Sequence, residues 1–117
     1  MRTSALLAIS VLFCAACASV PPPTGRLTDA EAAIRGATEV EANTVPRAAL
    51  HLKLAQEQVD KAKRYMQDEQ NDRAELSLRR ALADAELAIA LAREQEMTTK
   101  AKAAQAKVEK LKSSRPL

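Results

Sequence analysis

The sequence predicts an all-α protein: an antiparallel helical hairpin or small three-helix bundle with a long C-terminal helix, preceded by a signal peptide and a Pro-rich linker. First, the hydrophobic residues, 47% of the 117, are mostly Ala, Leu and Val, and aromatic side chains are scarce. Second, two Gly and five Pro supply few of the tight turns of a β sandwich or barrel. Third, apolar residues recur with a helical period over two long segments.

The first sixteen residues have the layout of a secretory signal peptide, which is removed from the mature chain. Arg2 supplies the positive start, the run from Ala5 to Phe13 is apolar, and small residues follow it. A membrane-spanning helix needs ~20 consecutive apolar residues, which this segment reaches only if Ser and Cys are counted. We therefore expect an exported protein.

The end of this segment carries a candidate lipidation site. Ala15-Ala16-Cys17 resembles the lipobox of bacterial lipoproteins, in which small residues precede the cysteine that receives the lipid. That pattern prefers Leu where Cys14 stands here. The resemblance implies that Cys17 is covalently lipidated and begins the mature chain. The alternative is ordinary signal-peptidase cleavage after Ala18, which would release a soluble protein.

Residues 17–27 then form a tether between the lipid and the helices. Pro21-Pro22-Pro23 favours extended polyproline II at ~3.1 Å per residue, although a disordered segment would serve equally well as a tether. The residue after Cys17 is Ala18 rather than Asp, which resembles the outer-membrane lipoproteins of Gram-negative bacteria. We expect a lipid-anchored protein of the outer membrane that faces the periplasm.

Three helices are predicted after the tether. Thr28 and Glu31 form a capping-box pattern for the first helix, which is expected to end near Asn43. Pro46 suits the first turn of the second helix, and Asp72 is the expected N-cap of the third. The apolar positions are Ala30, Ala33, Ile34, Ala37 and Val40 in the first helix, Ala48, Leu52, Ala55, Val59, Ala62 and Met66 in the second, and Ala74, Leu78, Ala81, Ala85, Ala88 and Ala92 in the third.

The short polar connection between the second and third helices makes them antiparallel neighbours. Away from its Ala-rich seam the third helix carries Leu87 and Leu91, which form a candidate interaction face. An uncovered apolar face is unusual in a soluble monomer. We expect cover from the first helix, from a second copy or from a partner, and the first helix is the simplest of these.

Residues 96–117 form a basic tail, either helical or frayed. An apolar stripe in it is rotated by roughly 130° from the seam of the third helix. The helix therefore either continues with a redirected face or breaks near Thr98-Thr99. The lysines could contact peptidoglycan carboxylates, lipid phosphates or an acidic protein, although a solvated helix face is the simpler interpretation. The stripe is Met97, Ala101, Ala104, Val108 and Leu111, and the lysines are Lys100, Lys102, Lys107, Lys110 and Lys112.

The sequence contains no pattern typical of catalysis, cofactor binding or metal binding. His51 is the only histidine and has no second ligand at metal-binding spacing. Asp84 and Glu86 are two residues apart and diverge on a helix, so they cannot share a proton or a substrate. Tyr65 lacks the aromatic neighbours that base stacking needs. We expect a non-enzyme that binds no cofactor and no nucleic acid.

The chain resembles the small bacterial lipoproteins that carry the uncharacterised domain DUF4398. The resemblance covers roughly residues 27–95, and the helical domain is expected over 28–95. The family commonly has Gly-Asp in the turn between the helices, where Asn71-Asp72 stands here. The resemblance implies location and fold, since the family has no established activity. The matching positions are Val45-Pro46, Ala48, Leu52, Ala55, Asp72, Ala74, Leu78, Ala81, Asp84-Ala85 and Ala88.

Together these features predict a non-enzymatic helical scaffold or interaction module, held at the outer membrane through Cys17. It would present a helical surface to an envelope protein or to peptidoglycan. One alternative is a soluble periplasmic protein whose basic tail binds a polyanion. Another is a coiled-coil spacer that self-associates through Leu87 and Leu91.

Overall fold

The computed structural model describes residues 20–115, and every regular element in that range is helical. Helix α1 spans Thr24–Glu39, a 3-10 turn follows at Ala42–Thr44, α2 spans Pro46–Gln67 and α3 spans Asn71–Ser113. The expected all-α fold with a long C-terminal helix is confirmed. The expected signal peptide and Cys17 lie outside the described residues.

Helix α1 begins one turn earlier than the capping-box pattern predicted. The Thr28 hydroxyl donates a hydrogen bond to the Thr24 carbonyl (3.1 Å) instead of capping the helix. Contacts with the rest of the bundle explain the extra turn, because Leu27 packs against the core and Arg26 forms an ion pair with Glu75. The predicted start at Thr28 was therefore wrong.

The connection between α1 and α2 also differs from the prediction. Helix α1 ends at Glu39 rather than near Asn43, and Glu41 adopts the left-handed conformation (φ 54°) that breaks the helix. Ala42 then buries its side chain completely. Val45 is extended and Pro46 occupies the first turn of α2, where its missing N–H costs no hydrogen bond.

A tight turn joins α2 to α3. The Gln70 N–H bonds the Tyr65 carbonyl (2.8 Å) and the Glu69 N–H bonds the Met66 carbonyl (3.2 Å), which together are a Schellman motif. Glu69 occupies its left-handed position (φ 58°). Because this motif ends at Gln70, α3 begins at Asn71, and Asp72 lies in the first turn rather than at the predicted N-cap.

The two heptad seams form the contact between α2 and α3. Their side chains are buried, except that Met66 is half-buried. Hydrogen bonds pair residue 51 with 84 and residue 58 with 77, so the two helices run antiparallel as expected. Small Ala side chains on both seams allow the helix axes to approach closely.

Helix α1 covers one side of this hairpin and packs mainly against α3. Arg26 contacts Glu75, and a Cβ built on Gly36 would lie 3.6 Å from Ile89, so α1 runs in the same direction as α3. Lys63 of α2 contacts Glu31 at 2.8 Å. The described helices thus form an up-down-up bundle, in which the first helix provides the expected cover.

Helix α3 divides into two halves of similar length. Residues 71–92 contribute all of its buried side chains, whereas every residue from Arg93 to Arg115 is exposed. The helix neither breaks nor frays at Thr98-Thr99 and remains helical to Ser113. We call Arg93–Ser113 the projecting half of α3.

Candidate functional site

The structure separates the two leucines that were expected to form one interaction face. Leu87 is 42% exposed, but Leu91 is only 8% exposed. Leu91 belongs to a core cluster with Ala37, Ala42 and Ala48. The segment between α1 and α2 folds over Leu91, since Val40 and Val45 pack against the same cluster. The prediction was therefore wrong for Leu91, and Leu87 alone is not a face.

Two polar bridges, which were not predicted from the sequence, join α2 to α3 on the side away from α1. The His51 Nδ1 and the Asp84 Oδ1 lie 2.9 Å apart, with both side chains about three-quarters buried. The Ser77 hydroxyl lies 3.0 Å from the Gln58 carbonyl and 2.8 Å from its side-chain oxygen. The sequence held one sign of the first bridge. His51 and Asp84 each directly precede a seam residue within an apolar stretch, which places both side chains near the contact between α2 and α3.

The N-terminal segment is held at the end of the bundle where α3 begins. The Asn71 side-chain amide donates a hydrogen bond to the Val20 carbonyl (2.6 Å). Arg26, in the first turn of α1, forms its ion pair with Glu75 near the same end (3.3 Å). The chain that comes from residue 17 therefore reaches the bundle at this end, which we call the tether end.

The projecting half of α3 leaves the bundle at the opposite end. At a rise of about 1.5 Å per residue, the packed half and the projecting half are each about 30 Å long. Ser113 consequently lies about 60 Å along α3 from the tether end. Every residue of the projecting half is exposed, and the segment between α1 and α2 lies beside its first two turns.

All five candidate polyanion contacts lie on the projecting half and are exposed. Two of the lysines form ion pairs within the helix, Lys100 with Glu96 and Lys112 with Glu109. The hydrogen bond from Lys100 lowers the pKa of the Glu96 carboxyl below its ordinary value. Within the bundle the hydrogen bond to Glu31 raises the pKa of Lys63. The remaining candidate contacts are Lys102, Lys107 and Lys110.

The same half carries large apolar side chains in contact with solvent. Met97 is 64% exposed, Val108 48% and Leu111 62%. With Ala101 and Ala104 between them, they form a line along the helix, which we call the tail stripe. A line of apolar side chains in contact with solvent is a candidate interaction surface.

The surface where the projecting half leaves the bundle is open to solvent. Glu39, Glu41, Glu96 and Lys100 help to line an open notch of about 580 Å³ where the projecting half leaves the bundle. Within residues 20–115 no group of three or more His, Cys, Asp or Glu is placed to hold a metal ion. In the same range, no helix combines the length and the hydropathy needed to cross a bilayer.

Comparison with known proteins identifies the domain but not an activity. The family model for a domain of unknown function (DUF4398) matches residues 25–111. The match extends beyond residue 95, where the resemblance was expected to end, and takes in the projecting half as far as Leu111. No curated protein and no solved structure matches the chain.

Proposed function

The chain belongs to the DUF4398 family, and from this premise and its N-terminal sequence we propose that it is a non-enzymatic lipoprotein of the cell envelope. Lipidated Cys17 anchors it to the outer membrane, and the helical bundle presents α3 to a partner in the periplasm. The observation that carries the proposal is Ala15-Ala16-Cys17, which follows an apolar export segment and lies a few residues before the helical domain at Thr24.

The anchor acts through hydrophobic burial and confinement. Each buried methylene of an acyl chain contributes ~0.8 kcal/mol, so several chains on one cysteine hold the protein on the membrane stably. Confinement to a surface raises the effective concentration of the protein toward partners near that surface. A protein of this kind needs a binding surface and no catalytic centre.

The positions of the two ends support this role. The tether end receives the chain from Cys17, and the projecting half points away from it. A partner bound to the projecting half would be held about 30–60 Å from the tether end along α3. The bundle then acts as a spacer between the lipid and the binding surface.

The direct test is the chemical state of the mature N-terminus. We expect mass spectrometry of the protein from its native envelope to show an acylated chain that begins at Cys17. Cys17→Ala should abolish labelling by a fatty-acid analogue and release the protein from the membrane fraction. Cys14→Ala is the matched control and should leave both properties unchanged. A mature chain that begins at unacylated Ser19 would refute the proposal.

A second candidate function is favoured by the exposed lysines. A soluble periplasmic form could bind a polyanion through Lys100, Lys102, Lys107, Lys110 and Lys112. Removal of residues 98–117 should then abolish binding to purified peptidoglycan. Unchanged binding after that truncation would exclude this function.

A further inference from the structure

We propose that the tail stripe, with the basic side chains that border it, docks an acidic amphipathic helix of a partner protein. The inference rests on the proposed role as an interaction module, and it names the partner's chemistry. It does not depend on the lipid, because the stripe lies on the half of α3 that is remote from Cys17.

Within residues 20–115 the tail stripe is uncovered. The stripe is rotated by roughly 130° about α3 from the seam that packs on α2. It therefore faces away from the side on which α2 lies. All of its residues are exposed, including Met97, which lies nearest the bundle.

The spacing of the stripe matches a helical partner. From Met97 to Leu111 the apolar positions are separated by 4, 3, 4 and 3 residues. This is the heptad spacing of coiled coils, in which the side chains of one helix pack into holes between the side chains of the other. A sugar polymer or an extended peptide gains nothing from this spacing, whereas an amphipathic helix matches it.

The side chains that border the stripe carry positive charge. In heptad terms one border carries Lys100 and Lys107, seven residues apart, and the other carries Thr98, Gln105 and Lys112. Neither border has a carboxylate between residues 97 and 112. Such borders favour a partner helix with Glu or Asp at its own bordering positions.

A second copy of the chain fits these borders poorly. In an antiparallel pair of projecting halves, the border with Lys100 and Lys107 would face the same border of the other copy. Parallel pairing would bring Lys107 close to Lys112 of the other copy. Like charges across a helix pair are destabilising, so the charge pattern selects an acidic partner over self-association.

The family match includes most of the projecting half. It continues through residue 111, which is the last residue of the tail stripe. The stripe is therefore part of the family's domain rather than an extension beyond it.

The experiment measures binding of the purified mature chain to a synthetic three-heptad peptide. If the chain carries lipid, it is kept in detergent. The peptide has Leu at its seam positions and Glu at its bordering positions. One control peptide has Lys in place of Glu, and the second probe is polyglutamate of equal charge without a seam. We expect the acidic peptide to bind at least about tenfold more tightly than either control, since it alone matches both seam and charge.

Variants with equal charge changes separate docking from general attraction. Lys100→Glu with Lys107→Glu alters the border, whereas Lys102→Glu with Lys110→Glu alters exposed lysines away from the stripe. We expect the border pair to weaken peptide binding about tenfold and the control pair less than about threefold. Val108→Asp should also weaken binding, while circular dichroism checks that the helix is retained.

Several results would overturn the inference. Equal weakening by the two lysine pairs, or equal affinity for polyglutamate, would indicate nonspecific attraction to polyanions. Dimers that Val108→Asp dissociates in analytical ultracentrifugation would assign the stripe to a second copy. Binding to phosphatidylglycerol vesicles in place of the peptide would assign it to a lipid surface. Cys17→Ala tests only the anchor and should leave peptide affinity unchanged, so failure of one proposal is distinguishable from failure of the other.

Discussion

A few polar side chains fix how α2 and α3 are aligned. The seam between them is dominated by Ala, and a slip of one heptad would still bring Ala against Ala. The bridges from His51 to Asp84 and from Ser77 to Gln58 break this degeneracy, because a slip would separate each pair. Partly buried polar groups that lose their partners are costly, so the observed register is favoured.

A double-mutant cycle tests the bridge between His51 and Asp84. We expect His51→Ala and Asp84→Ala to show a coupling of about 0.5–1.5 kcal/mol in the free energy of unfolding, measured by urea denaturation. The matched cycle pairs His51→Ala with Glu86→Ala, which alters an exposed acidic residue on the same helix. Its coupling should be close to zero, and equal coupling in the two cycles would contradict a direct bond.

Glu69 stands where a glycine would fit better. It holds a left-handed conformation in the turn between α2 and α3, which costs a non-glycine residue roughly 1–2 kcal/mol. Glycine relieves this cost, but its greater flexibility in the unfolded chain offsets part of the gain. Glu69→Gly should therefore raise the free energy of unfolding by about 0.5–1 kcal/mol. The same change at Glu57, in the middle of α2, should lower it by about 1 kcal/mol. Thermal unfolding of the two variants distinguishes these opposite effects.

Helix α3 combines two physical environments in one continuous element. Its first half is stabilised by burial against α1 and α2. Its second half buries no side chain, so its helix is stabilised mainly by continuity with the first half, by Ala-rich composition and by ion pairs such as Glu96 with Lys100. The first half therefore determines the stability of the bundle, and the second half carries the proposed binding surface.

Leu78 tests how much of the stability lies in the packed half. It is the largest fully buried side chain among the described residues. Leu78→Ala should lower the free energy of unfolding by roughly 2–4 kcal/mol, because it leaves a cavity in a core otherwise made mostly of Ala. Leu76→Ala, two residues earlier and 51% exposed, should cost less than about 1 kcal/mol. Equal losses in urea denaturation would contradict the assigned seam.

Hydrogen exchange tests the contrast between the two halves. We expect the backbone amides of the projecting half to exchange much faster than those around Leu78, because an exposed helix opens locally without unfolding the bundle. Truncation after Met97 should change the free energy of unfolding by less than about 0.5 kcal/mol. Equal protection of both halves in the isolated protein would show that something covers the projecting half.

The seams could be predicted from the sequence because heptad spacing is a local property of each helix. The polar bridges could not, since their formation depends on the register between α2 and α3. The same limit explains the two clearest errors. Thr28 had a good capping pattern, but contacts of Arg26 and Leu27 with other elements extended α1 past it. Leu91 lay away from the Ala seam, but the α1–α2 connection folded over it.

The sequence predicted which residues form the candidate site but not where they lie in the molecule. The lysines and the tail stripe are visible in the sequence, and so is the phase change of roughly 130° between stripe and seam. Their exposure on a continuous helix depends on where α1 and α2 end. That the projecting half and the tether end lie at opposite ends of the bundle follows from the directions of all three helices.

The whole molecule is organised along the axis of α3. Val20 and Asn71 mark the tether end, and the tail stripe lies at the other end. If Cys17 carries lipid, this order places the membrane at one end and the binding surface at the other. The lysines would then meet a partner in the periplasm rather than the lipids of the anchoring membrane.

The most direct measurement of this arrangement is energy transfer from labelled positions to an acceptor dye in the membrane surface. The lipidated protein is labelled at Asp72→Cys or at Ser113→Cys and inserted into vesicles through Cys17. Because these positions lie about 60 Å apart along α3, we predict strong transfer from residue 72 and weak transfer from residue 113. Equally strong transfer from both would show that α3 lies flat on the bilayer, and it would contradict a binding surface held away from the membrane.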